Sequence, residues 1–120
     1  MKSRFVEKPW GREEVFAQNE SYVGKILFVR KGEALSLQFH ERKTETLRIL
    51  DGQLELATGD DPQHLDVLCL DPGDVFHIGP GLVHRMVGLT NCSILEVSTP
   101  ELDDVVRLDD RYGREGTNAP

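Results

Sequence analysis

The chain has 120 residues, enough for one domain that buries a core without disulfide staples. Asp and Glu outnumber Lys and Arg by 21 to 14, and the formal net charge of −7 excludes the broad basic surface that nucleic-acid backbones require. A local basic cleft for a small anion is compatible with that balance.

In chain order, residues 1–12 read as an irregular arm, with Trp10, the only tryptophan, as its packing anchor. The opening "MKSRFVEKPWGREE" has no apolar run of the kind a secretory leader needs, and no stretch approaches the ~20 apolar residues of a membrane span. A cytoplasmic setting without a membrane partner is expected. Residues 13–100 then carry short runs rich in β-branched and aromatic residues, at 22–30, 34–40, 46–50, 53–58, 64–70, 74–78, 84–88 and 92–98. The breaks "KGE", "LDGQ", "TGDDPQ", "DPGD" and "GPG" are turn chemistry, because Gly and Asp accept positive φ and Pro fixes φ. "LDGQL" predicts a hairpin. No stretch sustains a helical period, so the pattern predicts a single all-β domain, a sandwich or small barrel. Residues 101–120 form an acidic tail, with one helical turn expected over "ELDDVVRL" and fraying over "GREGTNAP". Such arms and tails often find partners, and a homodimer is expected.

Cys69 and Cys92 lie apart in apolar settings without metal-ligand spacing, so both are expected to be buried, unpaired thiols. His64 falls in a polar, turn-rich loop and reads as solvated.

The stretch "LSLQFHERKTE" carries the chemistry. On a strand, residues i and i+2 share a face, so Gln38 and His40 point the same way, and a returning strand would bring Glu45 beside them. His84, after the Gly-Pro-Gly turn, offers a fourth donor. An amide, two imidazoles and a carboxylate suit a divalent cation, zinc first, with manganese, iron or nickel as other occupants. The competing reading makes Gln38 and His40 polar surface residues alternating with buried Leu35, Leu37 and Phe39; spacing alone leaves both open.

Gly32, Gln38, His40, Glu45 and Gly52 match the first motif of the cupin superfamily, and Gly73, Gly81 and His84 match its second. The chain resembles that superfamily, with Gly79 at the usual Pro position and Gly88 at the usual Asn. Longer phrases, "KPWGREEVF", "YVGKILFVRKGEALSLQFHERKTE", "PGDVFHIGPGLVHR" and "ILEVSTPELDDVVRLDDRYGR", are similar to the C-terminal cupin domain of type II mannose-6-phosphate isomerases. The resemblance implies a jelly-roll barrel with the metal inside one end, and aldose–ketose isomerisation of a phosphorylated hexose. Lys43 stands where that family has an Arg, and Thr46-Leu47 replace a His-Trp pair.

Under this reading Gln38, His40, Glu45 and His84 hold the metal, and Glu45, His77, Lys43 and Lys25 are candidates for proton transfer. Arg85 and Arg107 are candidates for the sugar's phosphate. A carbohydrate-binding cupin without turnover is the alternative, and a metal-dependent dioxygenase a more distant one because Gln38 lowers the imidazole count.

Overall fold

The structure, a computed structural model, describes residues 2–116. Eleven strands follow in order: β1 Arg4–Lys8, β2 Gly11–Gln18, β3 Val23–Val29, β4 Leu37–Phe39, β5 Glu45–Asp51, β6 Leu54–Asp61, β7 His64–Leu70, β8 Val75–Ile78, β9 Val83–Gly88, β10 Cys92–Ser98 and β11 Val106–Asp109. They form two antiparallel sheets, six strands in the order β1-β2-β3-β10-β5-β8 facing five in the order β11-β4-β9-β6-β7. The all-β expectation holds, with the sheets closed on each other as a jelly roll.

Alternation decides what each strand buries. On β10, Cys92, Ile94, Glu96 and Ser98 turn inward, while Val97 is exposed. Leu47, Ile49, Leu54, Leu56, Ile78, Met86 and Ile94 pack together as the core, each at most 2 % exposed. Burying each of these side chains is worth roughly 1.5–3 kcal/mol. Glu13, Lys25 and Glu96 hold inward positions on β2, β3 and β10, and they line the pocket described below.

Four local expectations need correction. The irregular arm expected over residues 1–12 is instead strand β1 and the start of β2, a hairpin paired from Arg4↔Val15 to Lys8↔Gly11. "KPWG" is its turn, and Trp10 drops from it into the core, 3 % exposed. "LDGQL" does not make a paired hairpin: β5 belongs to the six-stranded sheet and β6 to the five-stranded one, so the turn carries the chain across the barrel. Gly52 is required there, with φ +79 and a Cβ position 2.3 Å from the Asn91 carbonyl oxygen. In the tail, "ELDDVVRL" is a turn leading into β11, whose Val106 and Arg107 pair with Phe39 and Gln38. Backbone pairing with β4 outcompetes a single helical turn. Finally, Cys69 is exposed, on edge strand β7, where no further strand covers it; Cys92 is buried, and both are unpaired. The end of the predicted fraying segment, 117–120, lies outside the described residues.

Candidate metal centre and its pocket

Sequence reasoning placed Glu45 on a strand neighbouring His40. The structure reaches the same convergence by another route. Gln38 on β4 pairs with His84 on β9 in one sheet, while Glu45 opens β5 in the other. The loops 40–44 and 79–82 both cross between the sheets at this end, and so His40, Glu45 and His84 meet inside the barrel. Their donor atoms all lie within 4.8 Å of one another, and each residue is 2 % exposed or less.

Hydrogen bonding fixes which ring nitrogens face inward. His40 Nδ1 donates to the Asp104 carbonyl at 2.7 Å, and His84 Nδ1 donates to the Leu82 carbonyl at 2.9 Å. Both Nε2 atoms therefore point at Glu45 Oε1, from 3.3 and 3.5 Å. With Nδ1 protonated, a neutral imidazole presents a lone pair at Nε2, and two lone pairs facing a carboxylate repel unless a cation lies among them. His84 Nε2 is buried without a hydrogen-bond partner among the described residues. These residues fit a divalent cation. Gln38 lines the same pocket, with its Oε1 accepting a hydrogen bond from Ser36 Oγ at 2.5 Å.

The rest of the pocket wall combines apolar residues with buried charges of both signs. Lys43 Nζ lies 3.3 Å from Glu45 Oε2, Lys25 Nζ 3.2 Å from Glu13 Oε1, and Lys8 Nζ 3.9 Å from the same Glu13 oxygen. Glu96 faces Lys25 across the β3–β10 pairing. Burial opposes Glu45's charge, yet its polar neighbours, the His40 and His84 rings first and then the Lys43 ammonium, hold its carboxyl well below the usual range. Burial and then the Glu45 charge push Glu96 the other way, to about 8. Of these two carboxyls, Glu96 is therefore the one that keeps its proton near neutral pH. Lys43 is raised: burial works against its ammonium, but Glu96 and Glu45 outweigh it.

Lys8, Lys25, Lys43, Arg107 and Arg114 all line this pocket, against Glu13, Glu45 and Glu96. Burial lowers Lys8 and Arg107, and neighbouring cations lower both further: Lys25, Arg114 and Arg107 at Lys8, and Arg114 at Arg107. A chain of net charge −7 with 14 Lys and Arg residues thus sets five of them around one small cavity of about 70 Å³.

Two candidates fall outside the site. His77 is exposed on the outer side of β8, with Nδ1 3.0 Å from Thr46 Oγ1, because Phe76 and Ile78 take the inward phase. Arg85 turns away from its neighbour His84 and pairs with Asp109 at 3.0 Å. Lys25, Lys43 and Arg107 line the pocket, each buried. His64 is solvated, 3.2 Å from Asp61. Glu13, Glu96, Lys8 and Arg114 escaped the sequence reading, although a charged residue in the inward phase of an apolar strand, as in "SILEVS", is a usable signal.

The two-sheet barrel and the inward His, Glu, His group define a cupin. Solved structures of that architecture superpose on the chain: the RmlC-like cupin of Shewanella frigidimarina, with a TM-score of 0.69 and 16% identity, covers 85% of this chain and 87% of its own. KdgF from Halomonas sp. gives a TM-score of 0.73 at 18% identity, over 84% of this chain and 89% of its own. The family described as mannose-6-phosphate isomerase C-terminal matches residues 1–110, and the chain belongs to it. Among curated relatives, the mannose-1-phosphate guanylyltransferase ManC of Salmonella typhimurium is 32% identical over 116 residues, 92% of this chain but 23% of its own length. The xanthan biosynthesis protein XanB of Xanthomonas campestris pv. campestris is 31% identical over 116 residues, 92% of this chain and 24% of its own. The chain thus spans about a quarter of the length of these relatives.

Proposed function

We propose that this cupin is a metal-dependent aldose–ketose isomerase acting on a phosphorylated hexose, of the mannose-6-phosphate isomerase type. The observation that carries the reading is a buried His40, Glu45, His84 donor set, of which His40 and Glu45 line a pocket together with the cations Lys8, Lys25, Arg107 and Arg114. The donor set suits zinc, and the cations suit an anionic sugar. The family and the relatives named for mannose 1-phosphate point to the same substrate class.

A cation held by His40, Glu45 and His84, with Gln38 beside them, supplies Lewis-acid polarisation of a sugar carbonyl. The reaction moves one proton between adjacent carbons and one between their oxygens, so no oxidant or reductant is consumed. Lys43, kept protonated beside Glu45, faces the developing negative charge on the sugar oxygens. Glu96, in the pocket wall opposite Lys25, is the carboxyl placed to carry the proton. Arg107 and Arg114 hold the phosphate.

The test is proton NMR of zinc-loaded protein with fructose 6-phosphate in D₂O. Mannose 6-phosphate, or deuterium at C1 or C2, is expected, and Glu45→Gln should abolish either signal. Binding of the sugar phosphate with neither product nor exchange would leave a carbohydrate-binding cupin without turnover.

A further inference from the structure

We propose that Asp104 is a positioning residue for the metal, the point at which the C-terminal segment sets the orientation of His40. The inference rests on the metal reading above. Asp104 touches the ligand-bearing loop twice. Its backbone carbonyl accepts His40 Nδ1 at 2.7 Å, which commits that nitrogen to its proton and leaves Nε2 for a metal. Its carboxylate accepts the backbone N–H groups of Glu41, Arg42 and Lys43 at 3.1, 2.7 and 2.9 Å. Three successive amides on one carboxylate make an anion nest, and it lies directly after one ligand and before another.

The contact belongs to a continuous seam. Thr99 and Thr44 exchange hydrogen bonds at one end, from Thr44 N to Thr99 Oγ1 and from Thr99 N to Thr44 O, each at 3.0 Å. At the other end Val106 and Arg107 pair with Phe39 and Gln38. The segment from Thr99 to Arg107 therefore clamps the stretch that supplies Gln38, His40, Lys43 and Glu45, and it lowers Leu102, Val105 and Arg107 into the pocket. Without the Asp104 carboxylate the 41–43 amides lose their acceptor, the carbonyl loses its fixed approach to His40, and the imidazole is free to turn.

Partners of metal-bound histidines typically change affinity by about 10–100-fold when removed. Because Asp104→Ala keeps the backbone carbonyl, the lower end, about tenfold weaker zinc binding, is expected in chelator competition. Asp104→Asn keeps one acceptor oxygen and should recover part of the loss. The visible spectrum of the cobalt-substituted Ala variant should change, because His40 no longer approaches the ion at a fixed angle. Tyr112→Phe is the control: it removes the tail's hydrogen bond to Glu33, away from the pocket, and should bind zinc like the wild type.

Wild-type zinc affinity and an unchanged cobalt spectrum in Asp104→Ala would overturn the proposal while leaving the metal centre standing. Equal weakening by Asp104→Ala and Tyr112→Phe would overturn it too, reducing the effect to tail packing. If Asp104→Ala does not fold, amide exchange of the wild type decides: zinc should slow the Glu41, Arg42 and Lys43 amides, and no slowing would sink the idea. A wild type that takes up no zinc would remove this proposal and the metal reading together.

Discussion

Glu45 divides its two oxygens between two tasks: Oε1 lies 3.3 and 3.5 Å from the histidine Nε2 atoms, and Oε2 lies 3.3 Å from Lys43 Nζ. One carboxylate thereby ties the metal-binding side of the pocket to its proton-handling side. Lys43→Met should keep the first and lose the second. We expect stoichiometric zinc, with turnover reduced about 10²–10⁴-fold, the range for a positioned acid or base. Metal analysis and the D₂O exchange assay on the same sample check both halves, and an undiminished exchange rate would remove Lys43 from the mechanism.

Arg107 and Arg85 separate the pocket from the outer surface, since only Arg107 lines the cavity while Arg85 pairs with Asp109. Arg107→Gln should raise KM for a phosphorylated sugar about 10–100-fold, the worth of a hydrogen bond to a charged group. Arg85→Gln should leave KM where it was. Similar KM values for all three proteins would place the phosphate elsewhere.

How far this was legible in sequence depends on how rare each residue type is in its setting. With only four histidines in the chain, His40 and His84 stand out, and motif resemblance fixed them with Glu45. The sheet change between β5 and β6 was invisible, because a turn that crosses a barrel and one that closes a hairpin use the same Asp-Gly chemistry. Strand phase was readable but underused: Phe76 and Ile78 already turn His77 outward, and Ile94 and Ser98 already turn Glu96 inward. The role of Asp104 was not readable at all, since its partners lie |i−j| = 61 to 64 residues away.

Gly52 gives a test of the crossing itself. Its φ of +79 is costly for any side chain, and an added Cβ would sit 2.3 Å from the Asn91 carbonyl oxygen. Gly52→Ala should lose more than the ~1–3 kcal/mol of a strained backbone position, because the steric clash adds to it. Urea denaturation measures the loss, and a change below 1 kcal/mol, on that ~1–3 kcal/mol scale, would show that the turn is held differently.

The two cysteines should differ in reactivity. Cys69 is exposed and Cys92 buried, and burial, then the Asp51 charge, push the Cys92 thiol up from 9.0 to about 11. A thiol reagent at neutral pH should modify one site in the native protein, lost in Cys69→Ser, with the second appearing on unfolding. The raised value also sets a sign. As pH climbs from 9.0 towards about 11, the unfolded chain releases a proton that folded Cys92 retains, so this group's contribution to stability falls over that window. Cys92→Ala should lessen that decline in unfolding free energy.

Trp10 offers an optical readout, being the only tryptophan, 3 % exposed, and part of both the core and the pocket wall. Its carbonyl accepts Arg30 N at 3.0 Å, which fixes the β1–β2 turn against β3. The indole is buried beside the pocket, and a sugar phosphate arriving beside Lys8 and Lys25 changes its electrostatic surroundings. Titrating zinc-loaded protein with fructose 6-phosphate should give a saturable change in emission, absent in Trp10→Phe. Trp10→Ala should cost about 3–5 kcal/mol of stability, the usual cost of emptying a buried aromatic site. A flat titration in protein that nonetheless binds the sugar phosphate by calorimetry would place the ligand away from this wall, and with it the assignment of Lys8 and Lys25 to the substrate pocket would fail.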